Sequence, residues 1–313
     1  MWAKIAAGGV ILYGLVKAYN SHTDDVLVEE SSKYNSLFEV ANRLEKLYGG
    51  KAYVGLRIPD ADTVSRQTID IVLVTEGKAV VISVKDILGT AEVLPDSSWV
   101  STEERITFPD PVVETKRKAS ILQSYLGLRG VALPEGYFSC YVVLPNPKLQ
   151  IISSSLLPSE VITYDRWQQL KPEHKSMFSG CAEGAFRRRE EMQGSIHQRL
   201  DFILSTAPMW DRLELKGNKY VLGEFLDFDG ILVEDIQALK KIKRSKVSQL
   251  IVQQTSKEGS MLNRDYLGEE GLASKREEIT LSSSLQVLFK PQNWVNKFCK
   301  LELSQLVSLS LSI

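Results

Sequence analysis

The sequence predicts an α/β domain, a mixed sheet flanked by helices, followed by a β-rich C-terminal region. Apolar residues at helical spacing over 37–47, and two β-branched runs at 68–74 and 79–85 joined by a short polar turn, carry the first prediction. Short strands separated by Gly-Asn, Asp-Gly and polar turns after residue 212 carry the second. A small barrel or sandwich fits the C-terminal pattern.

Composition limits what kinds of partner the chain can have. Its 313 residues are enough for about two domains with separate cores. A formal net charge of -1 gives no overall attraction to nucleic acid or to an anionic membrane, so any such affinity must come from a local patch. The sparse cysteines and histidines exclude a Cys-x-x-Cys site, give a histidine metal site little support and favour an intracellular location.

Residues 1–19 form an apolar N-terminal segment whose uncharged run, 5–16, is bracketed by Lys4 and Lys17. The run is shorter than the roughly 20 residues that span a bilayer, although lysines and interfacial aromatic residues extend its reach. Three interpretations stay open: a membrane anchor through residues 2–19, a buried N-terminal helix, and a processed targeting segment.

The other boundaries follow from changes in composition. Residues 20–33 are polar and acidic and resemble a linker, 34–165 form the predicted α/β domain, 166–206 a charged helical connector, and 207–313 the β-rich domain. Within the α/β domain the first helix ends at Gly49-Gly50. The elements predicted after it are a strand at 51–58, the hairpin at 68–85, a helix at 115–128 and strands at 138–144 and 161–164.

The hairpin carries the residues that indicate a chemical function. Asp70 lies among apolar residues of the first strand, and Lys85 ends the second, two positions after Ser83 and on the same face. An acid on one strand facing an acid-x-Lys on its neighbour suits metal-dependent phosphodiester cleavage. Carboxylates hold Mg²⁺, the metal activates a water, and the lysine orients the nucleophile or stabilises developing charge.

Five elements in order over about 100 residues resemble the nuclease-related (NERD) domain. They are Glu39 on the first helix, the strand 66–74, the strand and glycine at 80–89, Trp99, and the segment 108–119. In the last segment Asp110 stands for the family's asparagine and Glu114 for its glutamine. The resemblance implies a restriction-endonuclease-like mixed sheet and Mg²⁺ as the cofactor if the domain is active.

Carried over by residue, the resemblance implies that Glu39, Asp70 and Lys85 occupy the family's catalytic positions, with Gln67 alongside, and that Asp70 and Glu39 are metal ligands. The departure is Ser83, where the family has glutamate. A hydroxyl is a far poorer Mg²⁺ ligand than a carboxylate, so metal binding should be severely weakened. Asp86 should point to the opposite face, whereas Glu114 could reach the site from the following helix.

Two basic runs are candidates for contact with a phosphate backbone. Lys116, Arg117 and Lys118 begin a helix near the proposed cleft. The run 240–246 is the densest, but it has no interleaved aromatic residues for base stacking and is equally well explained as a solvated face or a juxtamembrane patch.

Three functional hypotheses follow. In the first, the domain has weak or lost catalysis and acts in nucleic-acid binding or as a membrane-tethered scaffold. In the second, it is an active Mg²⁺-dependent DNA or RNA phosphodiesterase using Asp70, Lys85 and a relocated carboxylate, Glu114 or Glu39. In the third, the cleft is silent and the chain acts only on protein or membrane partners.

Overall fold

A computed structural model describes residues 31–75, 78–103, 105–133, 137–152, 157–171, 186–229, 248–254, 259–266, 277–282, 285–295 and 297–312. Side chains are described for these ranges except 186–195, 248–254, 259–266 and 277–282. The chain divides into two compact units, one consisting mainly of Ser36–Trp210 and the other mainly of Asp211–Arg244 and Ser248–Leu311.

The first unit is built on a five-stranded mixed sheet of order β1-β2-β3-β7-β9. Its strands are β1 (Lys51–Pro59), β2 (Arg66–Thr75), β3 (Lys78–Val84), β7 (Phe138–Val143) and β9 (Val161–Ile162). The first three strands pair antiparallel, whereas β7 is parallel to β3 and β9 is parallel to β7. A parallel neighbour needs a long crossover, and here it contains helix α2 (Pro111–Gly127).

Two further helices, α1 (31–48) and α4 (Phe186–Ser205), belong mainly to this unit, together with the short α3 (Tyr164–Gln169). The buried side of α2 repeats at Thr115, Ala119, Leu122 and Leu126, as a 3.6-residue period requires. Ala119, Leu122 and Leu126 share one apolar core with the sheet and with Leu204 of α4. Part of the segment predicted as a connector therefore contributes to a core.

A small four-stranded sheet, of order β6-β5-β4-β8, was not predicted. Its strands are β4 (Thr90–Val93), β5 (Trp99–Ser101), β6 (Ile106–Phe108) and β8 (Gln150–Ile152). Runs of three or four residues are too short for alternation to be recognised in a sequence. Trp99 is buried here in a second core with Val112 and Leu144.

The predicted boundaries need two corrections. Helix α2 begins at Pro111 rather than at residue 115, because Asp110 caps it by accepting the backbone N–H of Val112. The predicted strand 161–164 is two residues long, because helix α3 starts at Tyr164.

The second unit confirms a β-rich C-terminal half and forms one antiparallel sheet of order β14-β13-β12-β17-β10-β11-β15-β16. Its strands are β10 (Asp211–Leu215), β11 (Lys219–Asp229), β12 (Ser248–Gln254), β13 (Gly259–Tyr266), β14 (Glu277–Ser282), β15 (Gln286–Pro291), β16 (Cys299–Glu302) and β17 (Leu306–Leu311). The basic run 240–246 lies outside the described residues.

Among the helices in the described ranges, none combines the length and the apolar character required to cross a bilayer. Residues 1–19, for which an anchor was one prediction, fall outside those ranges.

Candidate functional site

Asp70 and Ser83 lie directly beyond the last pair of the β2–β3 hairpin on their two strands. The ladder pairs Val72 with Val81 and ends at Ile71 with Ile82. Beyond the ladder, the Asp70 carboxylate accepts the backbone N–H of Val84 at 2.9 Å. Asp70 is therefore hydrogen-bonded to the end of β3, the strand that contains Ser83 and is followed directly by Lys85.

The electrostatic surroundings of Asp70 oppose its ionisation. Burial raises the pKa of its carboxyl group above the ordinary value, because the charged form loses hydration. The ammonium groups of Lys118 and Lys85 and the Val84 N–H offset part of that rise, and the charge of Glu114 adds to it.

Ser83 is enclosed by helix α2. It is 1% exposed, and its hydroxyl lies 2.8 Å from the hydroxyl of Thr115 in a buried hydrogen bond. Thr115 also donates to the carbonyl of Pro111 at 2.6 Å, one turn earlier in the helix. The position where the family has glutamate is thus a neutral packing contact between strand and helix.

Glu114 lies next to Lys85. The Asp110 cap and Pro111 put it in the first turn of α2, where its two oxygens contact two lysines. Its Oε2 is 3.2 Å from Nζ of Lys85, and its Oε1 is 2.8 Å from Nζ of Lys118. Burial raises the pKa of Glu114, but the hydrogen bonds and charges of Lys118 and Lys85 outweigh it and leave the pKa below its usual value.

Asp70, Lys85, Glu114 and Lys118 therefore make up a cluster of two acids and two bases, called here the charge quartet. Lys85 belongs to the quartet through its side chain and to the sheet through its backbone, which donates to the carbonyl of Val143 at 3.0 Å. Its Nζ also lies 5.9 Å from the centre of the Phe108 ring. When all four groups are ionised, the quartet carries no net charge.

The other two predicted catalytic residues, Glu39 and Gln67, and the neighbouring acid Asp86 have different surroundings. Glu39 is exposed on α1. Gln67 donates to the hydroxyl of Ser65 at 3.2 Å, in the turn before β2. Asp86 accepts a hydrogen bond from Ser36 of α1 at 2.5 Å, so it is engaged away from the quartet.

The basic run of α2 divides between three acids. Lys116 pairs with Glu160 at 2.8 Å and Arg117 with Asp60 at 2.7 Å, whereas Lys118 turns to Glu114. Each basic residue of the run, which predicts a phosphate contact, is therefore paired with an acidic residue of the same unit.

The described side chains do not supply the donor set that a resident Mg²⁺ ion needs. Within the residues whose positions are described, no group of three or more Asp, Glu, His or Cys side chains is arranged to hold a metal. Mg²⁺ demands oxygen ligands in near-octahedral geometry. The carboxylates available in the quartet, Asp70 and Glu114, already accept the hydrogen bonds described above.

Two residues of the site were not recognised as its members from the sequence. The sequence analysis places Lys118 in a basic run that is predicted to contact a phosphate backbone. Its position four residues after Glu114 is, however, the spacing of helical ion pairs. Thr115 gave no signal, because its partner Ser83 is 32 positions away in the sequence.

The model of the nuclease-related domain family matches residues 32–145, which include the hairpin, the crossover helix α2 and the quartet. Searches of curated proteins and of solved structures gave no significant match to the chain. The family model and the motifs of the sequence agree, and the chain accordingly carries a nuclease-related domain over residues 32–145.

Proposed function

We propose that this nuclease-related domain binds nucleic acid without cleaving it. One observation carries the proposal: the only carboxylate that replaces the missing glutamate near Asp70, within the described ranges, is Glu114, and it is shared by two lysines. A metal would have to displace both ammonium groups from Glu114 and would leave them uncompensated beside a cation. Loss of metal binding follows from that competition.

Nucleic acid is the proposed ligand class because residues 32–145 match the nuclease-related family and because two largely shielded lysines of the quartet contact Glu114. The fold supports the same class. An antiparallel hairpin, a crossover helix and a parallel strand, in the order β2-β3-α2-β7, fit a restriction-endonuclease-like core. Tethering through residues 2–19 is a compatible part of this proposal.

A Mg²⁺-dependent phosphodiesterase is the second candidate, and the position of Glu114 favours it. This acid lies beside Lys85, as a relocated ligand would. Phosphodiesterase activity would require Glu114 to leave both lysines and bind the metal. The first proposal holds that this exchange does not occur.

Calorimetry of the full chain with Mg²⁺ and with Mn²⁺ separates the two candidates. We expect no saturable binding up to low-millimolar metal, and the same trace for Asp70→Asn. Saturable binding that Asp70→Asn abolishes would overturn the proposal and justify cleavage assays on DNA and RNA.

A variant designed to regain metal binding tests whether the missing glutamate explains the absence of binding. Ser83→Glu restores the family's carboxylate, and Thr115→Ala makes room for it against α2. If the lost glutamate is the cause, the double variant should bind Mn²⁺ measurably while Thr115→Ala alone does not, with circular dichroism confirming that both fold.

A further inference from the structure

The lysine pair of the quartet has a geometry that a simple ion pair does not need. Lys85 comes from the end of β3 and Lys118 from α2, yet their ammonium groups converge on the two oxygens of one carboxylate. Both lysine side chains are largely shielded, at 25% and 12% exposure, and Glu114 between them is 29% exposed. The carboxylate therefore lies between two largely shielded lysines and is itself at least as exposed as either of them.

We propose that Lys85 and Lys118 form a binding site for a phosphate-type oxyanion, and that Glu114 occupies it as an internal competitor in the free protein. Two oxygens of a phosphate group can accept from the same two ammonium groups as the Glu114 oxygens do. Binding then needs Glu114 to turn toward solvent, and the ligand takes over its hydrogen bonds. The inference rests on the proposed function, because it names the chemical group of the nucleic acid that the domain would bind.

Asp70 sets the charge balance of this site. With Glu114 displaced, Lys85, Lys118 and Asp70 together carry one positive charge when ionised, which favours an anion. Asp70 is tied to the backbone of Val84, so it stays in place when Glu114 leaves. In its ionised form Asp70 weakens anion binding but also offsets the repulsion between the two lysines in the empty site.

The chain offers a matched control in the ion pair between Lys116 of the same helix and Glu160, which precedes β9. Glu160 is also 29% exposed and also accepts from a lysine, at 2.8 Å, but that lysine, Lys116, is 56% exposed and stands alone. Glu114→Gln and Glu160→Gln remove the same charge from comparable carboxylates. Only the first vacates a site with two converging ammonium groups.

The experiment titrates inorganic phosphate into the full chain by calorimetry in EDTA. A second arm measures a short single-stranded oligonucleotide without a terminal phosphate by fluorescence anisotropy. We expect Glu114→Gln to bind at least about tenfold more tightly than the unmodified chain in one or both arms, the scale of one charge-assisted hydrogen bond. Glu160→Gln should change neither arm by more than about twofold, and Glu114→Gln with Lys118→Met should lose the gain.

The two arms identify the source of the oxyanion. A gain with phosphate alone points to a small phosphorylated ligand, and a salt-dependent gain with the oligonucleotide points to the phosphodiester backbone. No gain in either arm, or an equal gain for Glu160→Gln, overturns the inference.

Folding of the variants is checked by circular dichroism. If Glu114→Gln does not fold, Glu114→Asp serves instead: it keeps the charge but is one methylene shorter and cannot bridge both lysines. Its affinity should then exceed that of the unmodified chain, and an unchanged affinity overturns the inference. The phosphate and oligonucleotide experiments contain EDTA, so their result does not depend on metal binding. A negative result there would overturn the oxyanion site but not the proposed loss of metal binding and cleavage, which the Mg²⁺ and Mn²⁺ calorimetry tests separately.

Discussion

The two sides of helix α2 carry the same kinds of side chain in different surroundings. On the side facing β3, Glu114 and Lys118 join a shielded network, and Thr115 between them is fully buried. On the outer side, Lys116 forms a solvent-exposed ion pair with Glu160. Exposed ion pairs contribute little because the solvent screens them, whereas shielded polar groups are costly to leave without partners. Neighbouring residues of one helix should therefore respond very differently to substitution.

The largest effect should come from the buried hydroxyl pair. Thr115→Val should destabilise the protein by about 2–3 kcal/mol, because it removes the partner of Ser83 without changing the side-chain volume. Adding Ser83→Ala should recover part of that loss, since both polar groups are then gone. Urea unfolding of the two single variants and the double variant measures the coupling, and strictly additive effects would contradict it.

The next largest effect separates the two lysines. Lys118→Met should cost about 1–2 kcal/mol, because Glu114 then keeps a single ammonium partner, Lys85, in a shielded site. Lys116→Met should cost less than about 1 kcal/mol, as for an exposed pair. Thermal and urea unfolding of both variants tests the difference, and equal losses would mean that the quartet is as well solvated as the outer pair.

A smaller, pH-dependent effect should come from Asp70. Its pKa in the folded protein is raised by burial, so the folded state holds the proton more tightly than the unfolded chain. For an acid with a raised pKa, stability falls as pH rises through the unfolded value. Asp70→Asn cannot ionise, so its stability relative to the unmodified chain should improve from about pH 4 to pH 7. Unfolding curves across that range check the sign, and a relative loss on raising the pH would contradict it.

The smallest effect belongs to the outer pair. Hydrogen bonding to Lys116, the backbone and Ser159 lowers the pKa of Glu160 to about 2. The stabilisation is therefore present above the ordinary pKa of glutamate and is lost as pH falls toward about 2. Glu160→Gln should cost no more than about 1 kcal/mol at neutral pH and less at high salt. NMR titration of the Glu160 carboxyl group measures the pKa directly. A pKa in the ordinary range of glutamate would show that the ion pair with Lys116 does not stabilise the protein.

The fold of the first unit could be anticipated to the extent that its elements are long. The hairpin and helix α1 were recognisable because β-branched runs and a helical repeat persist over several residues. The small sheet β4-β5-β6-β8 was missed because its strands have three or four residues. For the same reason Trp99, which the family pattern marked, had no predicted element around it.

The sequence by itself determined the nuclease-related resemblance, the positions of Asp70 and Lys85 on one hairpin, and the absence of a carboxylate at Ser83. Those features depend on residue identity and strand period, which are local. The tertiary structure decided which charges meet. Glu114 joins Lys85 across 29 positions, and Lys116 joins Glu160 across 44. Such pairings depend on how the crossover packs α2 against β3 and β7, and that packing is set by the core as a whole, which a local pattern does not encode.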